Sequence, residues 1–487
     1  MKRYVVAIDQ STSASKVFLL DQHGRIIRRF SEAHRQFYPQ DGYVEHDAEE
    51  IWQNVQKGLS AVTEGIARAE IAALAISNQR ETVTFWERET GRPLRHAVVW
   101  QDVRAEGLCA ELAPQGAKIA QTTGLLLSPY YSAAKIASVL RCDEAIRLAM
   151  ISGRGCLGTL DSYLIYRLTK GQVYRTDVSN AGRTQLLRLG SMAWDAQTCG
   201  LFGIDPAWLP DIALSDEAFG AWEGVPIIGV LGDSHAALFG QGCLRPGGAK
   251  ATLGTGSSVM MNVGDRPPRS RHGLSACVAF GYRGRVHYAL EGNVTCCGDA
   301  LCWLRDEAGL IDDLSQAEAL ASSIPDAGGA YLVPAFSGLG APYFDANARG
   351  AFLGLTRRTT RAHLARAALE SMAYQDAEIV AAMAEDTGFA PPRLRVDGGP
   401  SRNKLLMQFL ADLLGCPVDC ATDSELSALG AGYMAGVAAG LYPSLESVRQ
   451  PPGERYAPRL DEMDRSRLLA GWRGAVARCR TEAYRKD

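Results

Sequence analysis

No stretch of about 18 consecutive apolar residues occurs in this chain, which excludes a membrane-spanning helix on sequence grounds. The apolar run after Met1-Lys2-Arg3 is also too short for a secretion signal, so a cytoplasmic location is expected. Basic excess is missing as well. The 51 Lys and Arg stand against 54 Asp and Glu, a net charge of −3, which leaves no field to draw nucleic acid or anionic lipid. None of the 12 cysteines forms a CxxC pair. Cys296 and Cys297 are adjacent, Cys416 and Cys420 flank Pro417, and neither spacing suits zinc. Reduced thiols buried in the core are the reading that remains. The 8 histidines contain no HExxH. No low-complexity tract or block of like charge interrupts the chain.

What is present is ordinary in bulk and specific in pattern. A hydrophobic fraction of 47% and a charged fraction of 22% fit a globular protein. At about 100–200 residues per domain the chain holds two or three domains. Two hairpin patterns stand far apart. The first runs Val5-Val6-Ala7-Ile8-Asp9-Gln10-Ser11-Thr12-Ser13-Ala14-Ser15-Lys16-Val17-Phe18. The second runs Ala249-Lys250-Ala251-Thr252-Leu253-Gly254-Thr255-Gly256-Ser257-Ser258-Val259-Met260. Each is an apolar strand, a turn of small residues and another apolar strand. Small residues let backbone N–H groups and hydroxyls approach an anion closely. Two such turns suggest two halves gripping one polyphosphate.

The rest of the chain reads as α/β. Strands are expected near 4–10, 15–21, 25–30, 71–77 and 82–86. A helix is expected from Asp47 to Ile66, with Ile51, Val55, Leu59, Val62 and Ile66 on one stripe. The second half repeats the rhythm. Strands near 249–253, 257–262, 274–280 and 286–290 precede a helix at 297–308. A long helix at 360–386, strand 394–396, helix 404–414, strand 417–420 and helix 427–439 follow. The segment Gly242–Gly248 reads as the crossover, giving halves 1–245 and 246–487, and the repetition suggests a tandem duplication. The cleft between them is the natural ligand site.

Phosphoryl transfer needs charge neutralisation, in-line positioning and a proton acceptor. Asp9 ends a strand before a Ser/Thr turn, where a carboxylate can hold Mg²⁺ directly or through water. Ser11, Thr12 and Ser13 can donate to the γ-phosphate. Asp233 follows the apolar strand 226–231 and opens a short helix, so it can cap that helix, accept a substrate proton, or both. Arg80 and Glu81 follow a strand and offer one donor and one acceptor to neighbouring hydroxyls.

The segments Asp9-Gln10-Ser11-Thr12, Asn78-Gln79-Arg80-Glu81-Thr82, Trp100-Gln101-Asp102, Gly232-Asp233-Ser234-His235, Gly254-Thr255-Gly256 and Asp397-Gly398-Gly399 occur in that order. Together with Gly42-Tyr43-Val44-Glu45-His46-Asp47 and Pro334-Ala335-Phe336-Ser337-Gly338-Leu339-Gly340 they resemble the FGGY carbohydrate kinases. The resemblance implies two actin/hexokinase-like (ribonuclease H-like) domains, with mixed sheets flanked by helices and ATP in the cleft between them. It implies an ATP- and Mg²⁺-dependent enzyme that phosphorylates a terminal hydroxyl of a small polyol or sugar, with glycerol the leading substrate. By the same resemblance Asp233 is the general base, Arg80, Glu81, Trp100 and Tyr130 line the polyol, and Ser234 and Ser258 stand beside it. Lys16, Thr255, Gly256, Gly298, Gly398, Gly399 and Asn403, with Ser11–Ser13, fall to the nucleotide. An assembly of identical copies stays open.

Three positions depart from the family pattern. Ser11 replaces the glycine usual in the first turn. Ser234 stands where the glycerol-phosphorylating members carry a glutamine, and Ser258 where they carry an aromatic. Both smaller side chains should widen the pocket, so a four- or five-carbon polyol or ketose is the alternative substrate. A nucleotide sensor without catalysis, on the same scaffold, is the alternative of another class.

Overall fold

The computed structural model describes residues 1–481. Its first large sheet has six strands. In spatial order they are Ala221–Trp222, Val225–Gly232, Ile71–Asn78, Tyr4–Gln10, Ala14–Leu20 and Ile26–Ala33. The last three form an antiparallel meander, with Asp9 opposite Lys16. Ile71–Asn78 runs parallel to Tyr4–Gln10, and Val225–Gly232 runs parallel to Ile71–Asn78. The seven-stranded second sheet repeats this core. Ala249–Leu253 has antiparallel Ser257–Gly264 on one side and parallel Leu394–Gly398 on the other, followed by parallel Val418–Cys420. The repeat read from the sequence is thus a repeat of topology. The second sheet differs by a hairpin, Ser275–Tyr282 and Arg285–Val294, whose later strand takes the place beside Ser257–Gly264.

The local reasons are legible. Asp47 caps the helix Ala48–Thr63 by accepting the Glu49 N–H at 2.9 Å. Ile51, Val55, Leu59 and Val62 form its buried stripe. The helix stops a turn short of Ile66. Thr63 bonds back to the Leu59 carbonyl at 2.6 Å, and Gly65 takes a left-handed φ of 71°. The expected strand at 82–86 forms as Val83–Glu87, but in a separate five-stranded sheet with Gly155–Thr159. Its other strands are two residues each, too short to show a period in sequence. All twelve cysteines are unpaired and eight of them are buried. Among the described residues no helix is long and apolar enough to cross a membrane.

The two halves share a core. Ala7, Leu20, Leu231 and Phe239 from the first pack with Met260, Phe280, Leu429 and Met434 from the second. The helix Leu426–Ala438 lies against the helix Asp233–Gly240 at backbone contact. A Cβ on Gly430 would sit 1.8 Å from the Ala236 carbonyl oxygen, so only glycine admits that approach. The packing brings the C-terminal ends of the parallel strands of both sheets to one crevice. Crevices at such ends are where open α/β sheets bind ligands.

Candidate active site

Three parallel strands of the first sheet end in register: Asp9 opposite Ser77, Gln10 and Gly232 opposite Asn78. The residues just beyond these ends are therefore neighbours. Reciprocal amide bonds between Asn78 and Asn180, at 2.9 and 3.0 Å, fix one end, and Gln79 donates to Gln10 at 3.0 Å. Asp233 is the first residue of its helix and remains about one-third exposed, with 37% of its side chain open. Its Oδ1 lies 3.1 Å from Arg80 Nε and accepts the Ser234 N–H at 2.6 Å. The Ser427 hydroxyl, from the second half, donates to the Asp233 carbonyl at 3.1 Å. The carboxylate thus stands at the seam between the halves.

Behind it lies a buried charge chain. Arg80 Nη1 donates to both oxygens of Glu291, at 2.9 and 3.1 Å. Arg183 donates through Nε to Glu81 Oε1 at 2.6 Å and sets Nη1 2.7 Å from Glu291 Oε2. Ser258 donates to Glu291 at 3.0 Å. Burial opposes the charge on Glu291, yet the Arg183 and Arg80 guanidiniums outweigh it and hold the carboxyl well below the usual range. Burial likewise opposes the two guanidiniums, and the carboxylates of Glu291 and Glu81 hold both protonated. Burial pushes the Glu81 carboxyl upward. Glu81 also adopts φ of 62°, a strained value for a non-glycine, held where the Ser132 hydroxyl grips its carbonyl at 3.1 Å. The network uses Nε and Nη1 of Arg80 and Oε1 of Glu81. Among the described residues Arg80 Nη2 and Glu81 Oε2 have no hydrogen bond to protein, one donor and one acceptor for adjacent hydroxyls.

Trp100 and Tyr130 make a half-buried aromatic corner, edge to face at 5.7 Å. The Trp100 indole N–H donates to the Thr12 hydroxyl at 2.9 Å, and its backbone N–H to Thr82 at 3.1 Å. The apolar corner is therefore bonded to the first turn. His34 Nε2 holds the Thr12 carbonyl at 2.9 Å from the other side. The Ser11 hydroxyl closes on the Ala14 carbonyl at 2.9 Å, so the residue that replaces glycine spends its side chain on the turn itself. Ser13 is exposed. Lys16 pairs with Glu425 of the second half at 2.8 Å.

Asp9 is buried and its Oδ1 has no hydrogen-bond partner. Burial raises its carboxyl to about 6; Asp233 adds to the rise, while Lys16 and Ser77 oppose it. Two carboxylates that repel across the strand ends, one with an orphaned oxygen, are a donor set suited to a hard divalent cation.

The second turn is built by backbone contact. The Gly254 N–H donates to the Gly256 carbonyl at 2.8 Å, the Cys297 N–H to Thr255 at 2.7 Å and the Gly298 N–H to Gly254 at 2.9 Å. A Cβ on Gly398, where φ is 95°, would sit 1.9 Å from the Leu253 oxygen. One on Gly256 would sit 2.4 Å from Val294 and one on Gly298 2.7 Å from Gly254. Thr255 and Gly399 are exposed, and nothing lies within 4 Å of the space above Gly399. Asn403 caps the helix Lys404–Leu414, accepting the Leu406 N–H at 2.9 Å. Contacts between the halves near these residues are the Lys16–Glu425 pair, the Ser427 bond to Asp233 and the Arg80–Glu291 pair. Sequence reasoning missed the roles of Glu291 and Arg183. Their partners lie 211 and 102 positions away, and no spacing rule reaches so far.

The chain is similar to known proteins along nearly its whole length. The model of the FGGY family of carbohydrate kinases, N-terminal domain, matches residues 4–240, and that of the C-terminal domain matches 249–439. The chain is 44% identical to glycerol kinase of Symbiobacterium thermophilum over 98% of its length and 99% of the relative's. It is 43% identical to glycerol kinase 1 of Thermotoga maritima over 98% and 100%. The crystal structure of Plasmodium falciparum glycerol kinase with ADP superposes with a TM-score of 0.93 at 33% identity, covering 98% of both chains. Xylulose kinase of Lactobacillus acidophilus, at 23% identity and a TM-score of 0.87, shares the fold.

Proposed function

The chain belongs to the FGGY family of carbohydrate kinases, and from that premise we propose that it transfers the γ-phosphoryl group of ATP to a terminal hydroxyl of glycerol, giving glycerol 3-phosphate and ADP. The enzyme is an ATP- and Mg²⁺-dependent polyol kinase. The observation that carries the reading is Asp233, a carboxylate about one-third exposed at the seam, held by Arg80 beside a donor, an acceptor and an aromatic corner. Arg80 Nη2 and Glu81 Oε2 take two adjacent hydroxyls, and Trp100 and Tyr130 cover the carbon chain. Asp233 accepts the proton of the third hydroxyl as its oxygen attacks phosphorus. The backbone and hydroxyls of Ser11–Ser13 and of Thr255-Gly256 donate to phosphoryl oxygens. Gly398, Gly399, Gly298 and Asn403 border the nucleoside, and Lys16, held by Glu425, completes the first turn. Mg²⁺, when bound at Asp9, neutralises phosphate charge. Residues 1–245 form the polyol half and 246–487 the nucleotide half. Chemistry that consumes ATP and a set of unpaired cysteines favour the cytoplasm.

Ser234 and Ser258 leave the polyol wall small, which would favour a longer substrate. The Ser258 hydroxyl, however, is bonded to Glu291, so the space beside it is backed by the charge chain. Glycerol is therefore expected to be phosphorylated with a higher kcat/KM than erythritol, xylitol or a ketopentose in a coupled ADP-release assay. A ketopentose preferred about tenfold would replace glycerol in this reading.

The Trp100 indole bond to Thr12 links the polyol wall to the phosphate turn. Trp100→Phe keeps the ring and removes that bond. A net hydrogen bond contributes about 0.5–1.5 kcal/mol, so kcat/KM for glycerol is expected to fall about two- to twelvefold. An unchanged value would show that the link is idle.

A further inference from the structure

The helix that opens with Asp233 spans eight residues, about 12 Å, and ends at Gly240. A second cavity opens there, between the halves. Its volume is about 40 Å³, room for about three waters or one compact oxyanion. Gln241 supplies its wall from the first half. Arg395, Leu429, Tyr433 and Arg449 supply it from the second.

Two guanidiniums share this wall, and neither has an ion pair to a carboxylate among the described residues. The hydrogen bond of Arg395 Nη1 goes to the Cys243 sulfur at 3.5 Å. Arg449 lays its Nε and Cδ over Gly242, where a Cβ would sit 2.9 and 3.0 Å away. Two carboxylates are also on the wall, but both are engaged. Asp419 is held by Arg455 at 2.5 Å and Arg393 at 3.3 Å, and Asp423 accepts the Glu425 N–H at 2.9 Å. Glu446, exposed on the same loop, acts on Arg449 only weakly. Burial first, and the Arg395 charge second, push the Arg449 guanidinium below its ordinary value, so the two forks repel as they stand. Gln241 gives its Nε2 to Asp397 and keeps a buried Oε1 without a partner.

We propose that this cavity is a second, non-catalytic binding site for a compact oxyanion, a phosphate or the terminal phosphate of a phosphomonoester, held between Arg395 and Arg449. Two planar forks that pair with no carboxylate match a tetrahedral oxyanion, which removes their repulsion and satisfies their donors together. A protonated phosphate oxygen also offers Gln241 Oε1 a donor. The location gives the site a route to the crevice. Arg395 lies on the strand that ends in the Gly398 turn, and Gln241 ties the end of the catalytic helix to Asp397 on that strand. Occupancy therefore braces the Asp233 helix against the nucleotide strand. The inference rests on the cavity alone and does not depend on which polyol is phosphorylated.

The test is thermal unfolding of the full chain titrated with inorganic phosphate, with the crevice first saturated by ADP and glycerol. The wild-type midpoint is expected to rise saturably. Arg395→Gln and Arg449→Gln are each expected to raise the half-saturating phosphate concentration about tenfold or more. Arg449→Lys, which keeps charge and loses the fork, should fall between. Without phosphate, Arg449→Gln should unfold no lower than wild type, because it removes a like-charge contact. A parallel titration with phenyl phosphate names the ligand: an equal response assigns phosphomonoesters, and a response to phosphate alone assigns the free anion. Variants that respond to phosphate as wild type does, or a wild type without a saturable response, overturn the proposal.

Discussion

Exchanging Asp233 for Asn is expected to lower kcat by about 10²- to 10⁴-fold, the range a positioned general base contributes, with ATP affinity nearly unchanged. The amide has the size of the carboxylate. Its oxygen can still accept the Ser234 N–H, the hydrogen bond that Oδ1 makes now, and can still lie beside Arg80 Nε, its ion-pair partner at 3.1 Å. The fold and the polyol wall should therefore persist, and only the proton acceptor is removed. Rapid-quench measurement of the chemical step separates this loss from slow product release, and calorimetric titration reads ATP binding. Asp233 belongs to the other half from Thr255-Gly256 and Gly398-Gly399, the residues proposed above for the nucleotide, so affinity should hold. Near-normal turnover in the Asn variant would remove the base assignment. A wild type that binds ATP and phosphorylates none of the polyols would instead favour the sensor on this scaffold.

Glu291→Gln is expected to destabilise the protein by about 3–5 kcal/mol, the usual result of breaking a buried ion pair from one side. Glu291 stands between Arg80 and Arg183, whose side chains are 7% and 0% exposed, and it bonds or pairs with both. Gln keeps the shape but takes away the charge that outweighs the burial of two cations. The same substitution loosens the seam, because Glu291 belongs to the second half and both arginines to the first. Denaturant titration measures the stability, and KM for the polyol should rise with it, since Arg80 loses its anchor. Glu144→Gln is the control. Its partner Arg147 lies in solvent on the same helix turn, so the midpoint should stay in place. Equal effects at both positions would mean that the buried chain is no more than a surface pair energetically.

Most of the secondary structure was legible because its causes are local. The period of the stripe Ile51–Val62, the cap at Asp47 and the apolar strands of the two hairpins lie within one window of sequence. The long helix, expected over 360–386, forms as Arg361–Thr387. The ends of helices were less legible. Thr63 and Gly65 stop the first helix before Ile66, although the apolar period itself runs on. Of the five-stranded sheet only Val83–Glu87 is legible in the sequence: Gly155–Thr159 holds two glycines and just two apolar side chains, and two-residue strands carry no period.

The sequence by itself determined which residue types stand at the strand ends: an aspartate before a hydroxyl turn, an aspartate opening a helix, glycines where backbones meet. Those choices follow from φ, size and charge, which each residue carries alone. Only the tertiary structure decided what those residues lean on. Glu291 lies between Arg80 and Arg183, Trp100 reaches Thr12, and Lys16 reaches Glu425 409 positions away. Such pairings arise when the two halves pack together, because burial forces each charge to find a partner wherever the fold has placed one.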